Sequence, residues 1–311
     1  MRRNINATEL LVKWRAWTSF SRSQQGSFGM RSSLHFVFLV FLFVFTNGRG
    51  SAQNPIQPKR FIICYNPEVP AAEFAPYTML VVDYAYSPDA VAELRRQGKL
   101  VFGYLSLAKV HQQRHFASDV QAIGIENERD PQFPGSVRVN AADPKWSELL
   151  VQVVVPRIKK LGFNGIFLDD LDDLKKRKLE KYGVALIHEI RQANPEIKLM
   201  ANRGLEYLAD FASHVDFVLL ESCFVLDGQL RKPADSEWAM DLLKVGKRIN
   251  PKLQAVAIDY IPNAATQSTV NNRLVLLPSQ KHLVAQIRDL HAKHGLLSCV
   301  STEDLQSLPG F

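Results

Sequence analysis

Eight short apolar runs, separated by stretches with helical periodicity, constrain the fold of this chain more than any other feature. In chain order they are Phe61–Tyr65, Met79–Asp83, Leu100–Leu105, Gly165–Asp169, Lys198–Asn202, Asp216–Glu221, Leu253–Asp259 and Leu296–Ser301. Continuous apolar character is typical of strands that are buried on both faces, as in a parallel sheet. Eight strand–helix units in about 260 residues predict a single-domain (β/α)8 TIM barrel.

The connecting segments favour closure into a barrel. Ser87-Pro88-Asp89 and Asp143-Pro144 are helix-start signals, and Gly98 and Gly162 mark the ends of the same two helices. An open doubly wound sheet is the alternative, but the glycine-rich phosphate loop that usually accompanies it is missing from the sequence. The long segment Ala108–Ala142 does not fit the alternation, and we expect it to form a wall of the barrel mouth.

The first 52 residues differ from the rest of the chain in charge. They carry seven Lys or Arg residues and one Glu, which accounts for most of the formal net charge of +7. Of the 38 basic and 31 acidic residues in the chain, 31 and 30 respectively remain in residues 53–311. This near balance implies no nucleic-acid partner.

The same segment has the composition of an export leader. A 12-residue apolar run, Leu34–Phe45, follows a basic residue, and small residues precede a cleavage point after Ala52. The run is too short to cross about 30 Å of hydrocarbon comfortably. We predict that residues 1–52 are a leader, with Met30 as an alternative start, and that 53–311 form the barrel domain in the periplasm or outside the cell. An uncleaved leader, the alternative, would be the only contact with a membrane.

The predicted strands repeatedly end in polar side chains, although their interiors are apolar. The carboxyl ends of barrel strands meet at one mouth, so these side chains are expected to share a site. Helix capping is the simpler interpretation for acids such as Asp172 and Asp173. We identify Asp169 and Glu221 as catalytic candidates, because each ends an apolar strand. We assign substrate binding to Asp83, Tyr104, Ser106, Asp170, Asn202, Asp259 and Tyr260.

Two carboxylates facing each other across a cleft are the minimum equipment for hydrolysis of a glycosidic bond. One donates a proton to the leaving oxygen, and the other acts as nucleophile or activates water. Like charge and burial separate their pKa values, which makes the two roles compatible at neutral pH. These positions therefore indicate a glycoside hydrolase.

The sequence around Asp169 is similar to that of a known family. Residues 161–172, LGFNGIFLDDLD, resemble the strand motif GFDGVFLDxxD of glycoside hydrolase family 114, the endo-α-1,4-polygalactosaminidases. Further matches follow the order of the family at 103–107 (GYLSL), 140–146 (NAADPKW), 217–222 (FVLLES) and 300–305 (VSTEDL). The resemblance implies a TIM barrel, export, and cleavage of an α-1,4-linked, galactosamine-rich polysaccharide. This polysaccharide substrate is the partner that the resemblance implies.

The resemblance also implies roles for the two acids. Asp169 and Glu221 match the family's catalytic carboxylates. By analogy with related α-glycosidase barrels, the fourth-strand Asp169 is the nucleophile and the sixth-strand Glu221 is the acid/base. One position departs from the family, which commonly has Gly-Glu where this chain has Ala108-Lys109. The departure leaves open a barrel that binds polysaccharide without cleaving it.

No cofactor or metal site is predicted, and a metal-dependent hydrolase is the third hypothesis. Asp169-Asp170 would supply oxygen ligands, and His111 and His115 are spaced i, i+4, but the ligand motif of a zinc hydrolase does not accompany them. His291 and His294 lie on a lysine-bearing helix and are expected to face solvent.

The three cysteines, Cys64, Cys223 and Cys299, lie in or beside apolar runs. Their odd number and spacing match neither a disulfide framework nor a metal site. We predict that they pack as small apolar side chains. A bridge between Cys64 and Cys299 is the alternative.

Overall fold

The computed structural model describes residues 60–125, 127–263, 266–270 and 273–310, the third of these ranges by its backbone alone. The predicted leader and its boundary lie outside these residues and stay predictions. The strands are β1 (Phe61–Cys64), β2 (Met79–Val82), β3 (Leu100–Ser106), β4 (Lys109–His111), β5 (Asn127–Arg129), β6 (Ser136–Val139), β7 (Gly165–Asp169), β8 (Lys198–Asn202), β9 (Phe217–Glu221), β10 (Val225–Leu226), β11 (Gln229–Leu230), β12 (Gln254–Tyr260), β13 (Thr266–Val270), β14 (Arg273–Leu276), β15 (Leu297–Ser301) and β16 (Leu308–Pro309).

Helices follow most of the barrel strands. They are α1 (Pro88–Arg96), α2 (Ala117–Ala122), α3 (Pro144–Leu149), α4 (Val155–Lys160), α5 (Leu171–Lys176), α6 (Glu180–Ala193), α7 (Leu208–Phe211), α8 (Pro233–Ile249) and α9 (Lys281–Lys293). Shorter 3-10 turns occupy Ala71–Phe74, Leu205–Tyr207, Ala212–His214 and Pro278–Gln280. Within the described ranges, no helix combines the length and the apolar character needed to cross a bilayer.

Eight strands form one parallel sheet in the order β1-β2-β3-β7-β8-β9-β12-β15. Strands β1 and β15 lie side by side, so that the sheet is nearly closed into a barrel. The predicted (β/α)8 barrel is confirmed. The predicted strand ends differ from the observed ones by no more than one residue.

The barrel interior is filled by aromatic side chains from non-adjacent strands. The rings of Phe102 on β3 and Phe217 on β9 meet edge to face, with their centroids 5.6 Å apart. Gly165 at the start of β7 makes room for Phe102, because a Cβ at position 165 would lie 2.3 Å from its ring. A larger residue at 165 would displace the ring, since a packed core has no spare volume.

The helical segment before β7 begins as predicted but is not continuous. Its N-cap Asp143 accepts a hydrogen bond from the backbone N–H of Lys145 at 2.9 Å, and Pro144 is the first helical residue. We predicted one helix that runs to Leu161, whereas a π-helical turn (Leu150–Val154) separates α3 from α4. Pro156 explains the wider turn, because proline lacks an N–H and its ring clashes with the preceding helical turn.

The long segment after β3 is structured. Strands β4, β6 and β5 form an antiparallel sheet in that order, and α2 lies between β4 and β5 in the chain. Val110 and Phe116 bury their side chains, and Trp146 donates from Nε1 to the carbonyl of Leu107 at 2.9 Å. These contacts fix the segment against the barrel, where it lines one side of the mouth as predicted.

All three cysteines are buried free thiols. No disulfide joins Cys64 and Cys299, although their strands are neighbours. Burial raises the pKa of Cys64 to about 11 and that of Cys299 to about 12. The thiols are therefore protonated at neutral pH and pack as apolar groups, as expected.

Candidate active site

One amide group joins the two predicted catalytic carboxylates. Asp169 ends β7, Glu221 ends β9, and Asn202 ends β8, which lies between them in the sheet. The Asn202 Nδ2 donates to Asp169 Oδ1 at 2.8 Å and to Glu221 Oε2 at 2.9 Å. The two acceptor oxygens can be no further apart than these distances combined, about 5.7 Å.

Each carboxylate accepts a second hydrogen bond from a tyrosine. Tyr104 on β3 donates to Asp169 Oδ2 at 2.8 Å, and Tyr260 at the end of β12 donates to Glu221 Oε1 at 2.8 Å. Burial and the neighbouring carboxylates raise the pKa of both tyrosines well above the usual range, so both phenols remain protonated donors. Five adjacent strands thus supply one hydrogen-bonded centre.

Burial makes Asp169 harder to ionise than an ordinary carboxyl. It raises the pKa of Asp169, and the negative charge of Glu221 raises it further. The hydrogen bonds from Asn202 and Tyr104 oppose this rise, because they stabilise the ionised form. The net effect is a raised pKa of Asp169, and the two donors are what favour its ionised form.

Asp170 lies beside the pair and has its own partners. The hydroxyl of Ser106 donates to Asp170 Oδ2 at 2.5 Å. The same Ser106 Oγ accepts a hydrogen bond from the backbone N–H of Lys109 at 2.8 Å. Burial and the charge of Asp169 raise the pKa of Asp170 to about 6. Both Asp170 and Ser106 line the mouth, and their role in substrate binding stays a prediction.

Lys109, the departure from the family pattern, is held within a cluster of acids. Its Nζ lies 3.0 Å from Asp170 Oδ1 and 3.1 Å from Asp130 Oδ2, and the side chain is only 12% exposed. The ammonium group neutralises these acids and forms no ion pair with Asp169 or Glu221. The substitution thus leaves the contacts of the two predicted catalytic carboxylates unchanged.

A left-handed residue follows each of the three linked side chains. Asp170, Arg203 and Ser222 have φ values of 66°, 60° and 52°, and they come directly after Asp169, Asn202 and Glu221. Non-glycine residues rarely adopt this conformation, which costs of the order of 1 kcal/mol or more each. The three turns end the strands abruptly, so that the last side chain of each strand points into the mouth.

Asp83, a predicted substrate-binding residue, is paired with an arginine that the sequence did not indicate. Arg114 Nη1 lies 2.7 Å and 2.9 Å from the two carboxylate oxygens of Asp83. The guanidinium also lies over the rings of Tyr84 and Tyr104, 5.1 Å and 5.0 Å from their centroids. Asp83 therefore orients Arg114 at the mouth, next to the tyrosine that binds Asp169.

Three adjoining cavities form a cleft across the mouth. The central one, about 440 Å³, is lined by Asp169, Asn202 and Glu221. A second, of about 590 Å³, extends past Asp169 towards Asp83. The third, of about 510 Å³, extends past Glu221 on the opposite side. Each has the size of a small-molecule site, so the cleft has room for a sugar chain on both sides of the carboxylates.

Residues 46–304 match the sequence model described as glycoside-hydrolase family GH114. The chain belongs to this family. No curated protein matches the chain in sequence. This GH114 protein is thus a glycoside hydrolase, as the resemblance implied.

Solved structures agree with the fold. The glycoside hydrolase domain of PelA from Pseudomonas aeruginosa is 25% identical, with a TM-score of 0.64 over 81% of this chain and 98% of that chain. Ega3 from Aspergillus fumigatus, solved in complex with galactosamine, has a TM-score of 0.61 and 12% identity, covering 80% of this chain and 92% of that one. The second likeness shows the barrel fold alone.

The structure corrects two predictions in this GH114 barrel. Asp259, expected to bind substrate, is fully buried, and its Oδ2 lies 2.7 Å from Nε2 of His291. His291, expected to face solvent, is also fully buried, and its Nδ1 lies 2.6 Å from the Ser298 hydroxyl. Asp259 Oδ1 accepts from the backbone N–H groups of Phe224 and Val225. The two side chains hold α9 and the loop after β9 together and do not reach the mouth.

The GH114 site does not resemble a metal centre. No group of three or more His, Cys, Asp or Glu side chains suited to a metal ion occurs among the residues that the structure describes. His115 packs against the ring of Tyr84, and Asp169 and Asp170 accept hydrogen bonds from protein donors. The metal-dependent hypothesis therefore has no ligand set in this part of the chain.

Proposed function

We propose that this GH114 enzyme is an exported hydrolase of α-1,4-linked, galactosamine-rich polysaccharide, with Asp169 as nucleophile and Glu221 as acid/base. The observation that carries the proposal is the amide of Asn202, which holds an oxygen of each carboxylate within 2.9 Å of one nitrogen. The roles follow the analogy with related α-glycosidase barrels, because β7 and β9 are the fourth and sixth barrel strands.

The distance between the carboxylates supports a retaining mechanism. Retaining glycosidases have carboxyl groups about 5–5.5 Å apart, and inverting ones need about 6.5–9.5 Å to fit a water molecule. The bridged oxygens of Asp169 and Glu221 lie within about 5.7 Å of each other, the close approach that retention needs, and the analogy with related α-glycosidase barrels selects this class. We therefore infer a covalent glycosyl-enzyme intermediate on Asp169.

The reaction then has two steps. Ionised Asp169 attacks the anomeric carbon while protonated Glu221 donates its proton to the leaving oxygen, so that the glycosidic bond breaks as the ester forms. Glu221, now ionised, removes a proton from water, which attacks the anomeric carbon and releases Asp169. Tyr104, Tyr260 and Asn202 hold both side chains in place by the hydrogen bonds described above.

The charge of the central cavity supports a cationic substrate. Its lining includes Asp169, Glu221 and Glu303 besides Asp170, which Lys109 neutralises, and no Lys or Arg is among its described lining residues. An amino sugar with a free amine is protonated at neutral pH and is attracted to such a site. The galactosamine in the Ega3 complex is consistent with this substrate class.

The experiment that tests the activity compares carboxylate variants on galactosamine-containing polysaccharide, with products identified by mass. We expect Asp169→Asn and Glu221→Gln each to lower turnover about 10³-fold or more. Asp241→Asn is the matched control, because Asp241 is an exposed carboxylate on α8 that pairs with Lys244. Near-normal turnover in either site variant would remove that residue from the mechanism.

The stereochemical outcome is a separate test. NMR during the first turnovers should show a product with the same anomeric configuration as the substrate. An inverted product would contradict the nucleophilic role of Asp169, and it would leave the hydrolase assignment standing.

Export is tested on the N-terminus of the protein recovered outside the cytoplasm. We expect the chain to begin at Gln53, after cleavage of the apolar leader. An intact leader on membrane-bound protein would indicate an anchor instead.

A further inference from the structure

Two aromatic rings are exposed on opposite sides of the carboxylate pair. Of the large apolar side chains that are exposed in the described part of the chain, two are aromatic. They are Phe133, 56% exposed, and Trp238, 52% exposed. Both line the cleft. Rings of this size usually bury most of their area, so their exposure beside a catalytic centre calls for a ligand.

Trp238 lies beyond Glu221. It projects from α8 into the cavity of about 510 Å³, whose wall also contains Glu221, Ser222 and Arg231. The Nε of Arg231 donates to the carbonyl of Ser222 at 3.0 Å, which fixes the guanidinium to the strand end that carries Glu221. A sugar on Trp238 would therefore lie next to the acid/base, on the side from which the leaving group departs.

Phe133 lies on the other side. It is in the loop between β5 and β6, and it lines both the central cavity and the one that extends past Asp169. The Nζ of Lys109 is 4.7 Å from its ring centroid, and this cation–π contact holds the ring over the mouth. A sugar on Phe133 would therefore belong to the part of the chain that Asp169 retains.

We propose that Trp238 and Phe133 are stacking platforms for sugar units on the reducing-end and non-reducing-end sides of the scissile bond, respectively. The proposal rests on the function proposed above and assigns the direction of the polymer in the cleft. A galactose-configured ring has an apolar face formed by its C–H groups, because its O4 is axial. Such a face packs on an aromatic ring without regard to whether the neighbouring amine is acetylated.

The sharpest test is the cleavage position in an α-1,4-linked galactosamine oligosaccharide that is labelled at its reducing end. Trp238→Ala weakens binding on the reducing-end side, so cleavage should move towards the label and give shorter labelled fragments. Phe133→Ala should give longer labelled fragments. Shifts of the same sign, or no shift in either variant, would overturn the proposal, since a general loss of stability cannot move the two patterns in opposite directions.

The affinity of long chains gives a second measurement. Each Ala variant should raise KM by about 3- to 10-fold, the range expected for loss of one aromatic contact, and kcat should change less. Trp238→Phe, which keeps an aromatic ring, should have a KM close to that of the wild type. Ile249→Ala is the control, because Ile249 is an exposed apolar residue on the same helix, at 46%, outside the three cavities. A matching rise of KM in this control would contradict the assignment.

Binding without turnover separates this proposal from the proposed function. Residues 53–311 contain two tryptophans, Trp146 and Trp238, and Trp146 is fully buried. A sugar chain bound to Asp169→Asn should therefore change the fluorescence of Trp238, and the additional change Trp238→Phe should abolish the signal. Absence of turnover in the wild type would refute the hydrolase proposal alone. If the Trp238 fluorescence of Asp169→Asn does not change at saturating concentrations of the sugar chain, the role of Trp238 as a stacking platform is refuted.

Discussion

Replacing Asn202 with alanine tests whether the bridging amide sets the ionisation of the catalytic pair. The change removes the donor that Asp169 Oδ1 and Glu221 Oε2 share, at 2.8 Å and 2.9 Å, and it leaves both tyrosine hydrogen bonds in place. Asp169 then keeps burial and the charge of Glu221, which both raise its pKa, and it loses one of the two side-chain donors that lower it.

The size of the effect follows from one charge-assisted hydrogen bond. Such a bond contributes about 1.5–3 kcal/mol, and 1.36 kcal/mol corresponds to one pH unit. Because the lost bond favours ionised Asp169, the acid limb of the pH–rate profile should move to higher pH by about one to two units. At a pH on the wild-type limb, turnover should fall about 10- to 100-fold. At pH values well above the shifted acid limb of the variant, the loss of turnover should be smaller.

The assay is the full pH dependence of kcat for the wild type and for Asn202→Ala. Asn127→Ala is the control, because Asn127 is an exposed amide on β5 away from the carboxylates. Melting temperatures at each pH separate loss of activity from unfolding. A variant profile that is lowered uniformly, with its acid limb unmoved, would refute the reasoning and would limit Asn202 to a positional role.

Three further perturbations test the surroundings of the site. The pKa of Asp170 is raised from 3.8 to about 6, so the free energy of unfolding should fall as pH rises through this window, and urea titrations of Asp170→Asn should show a smaller fall. Ser222→Gly should increase stability by about 0.5–1 kcal/mol in the same assay, since glycine adopts the positive φ of 52° without strain. His291→Ala should cost about 3–5 kcal/mol, because it leaves Asp259 buried without its partner, whereas exposed His282→Ala on the same helix should cost little. These expectations would be contradicted if the pH dependence of the unfolding free energy were the same in Asp170→Asn as in the wild type. They would also be contradicted if Ser222→Gly were less stable than the wild type, or if His291→Ala and His282→Ala lost equal stability.

The strands and the positions of the two carboxylates could be predicted because both depend on local sequence. A parallel barrel strand is apolar throughout, so its end is visible where the first polar side chain appears. Asp169 and Glu221 occupy such positions, and the topology of the barrel requires their strand ends to lie at one mouth. The contacts between them add what the sequence could not supply, namely the shared donor and the distance that it sets.

The errors arose where the direction of a side chain decides its role. Asp259 also comes near the end of a strand, but it points outward to α9 and the loop after β9, and strand position alone does not give this direction. His291 was detectable, because it continues the buried face of α9 at helical spacing from Val284 and Ile287. We assigned His291 to the exposed face because the same helix carries lysines.

Arg114 and Phe133 were beyond prediction for a different reason. Both belong to the segment between β3 and α3, and they reach the cleft only because this segment folds back across the mouth. Their partners in the site, Asp83 for Arg114 and Lys109 for Phe133, lie far from them along the chain. Such pairings depend on long-range packing, which a single sequence does not display.

A neutral amide suits the strand between the two catalytic strands better than any charged side chain. A lysine at position 202 would favour the ionised form of both Asp169 and Glu221, and the proton needed by the leaving group would be lost. An aspartate there would add a third negative charge and favour protonation of the nucleophile. The Asn202 amide can hold each carboxylate in either protonation state, because Nδ2 also donates to an un-ionised carboxyl oxygen, although the bond to the ionised form is stronger. In the proposed mechanism, the proton can therefore move onto and off Glu221 while Asn202 keeps the two acids together.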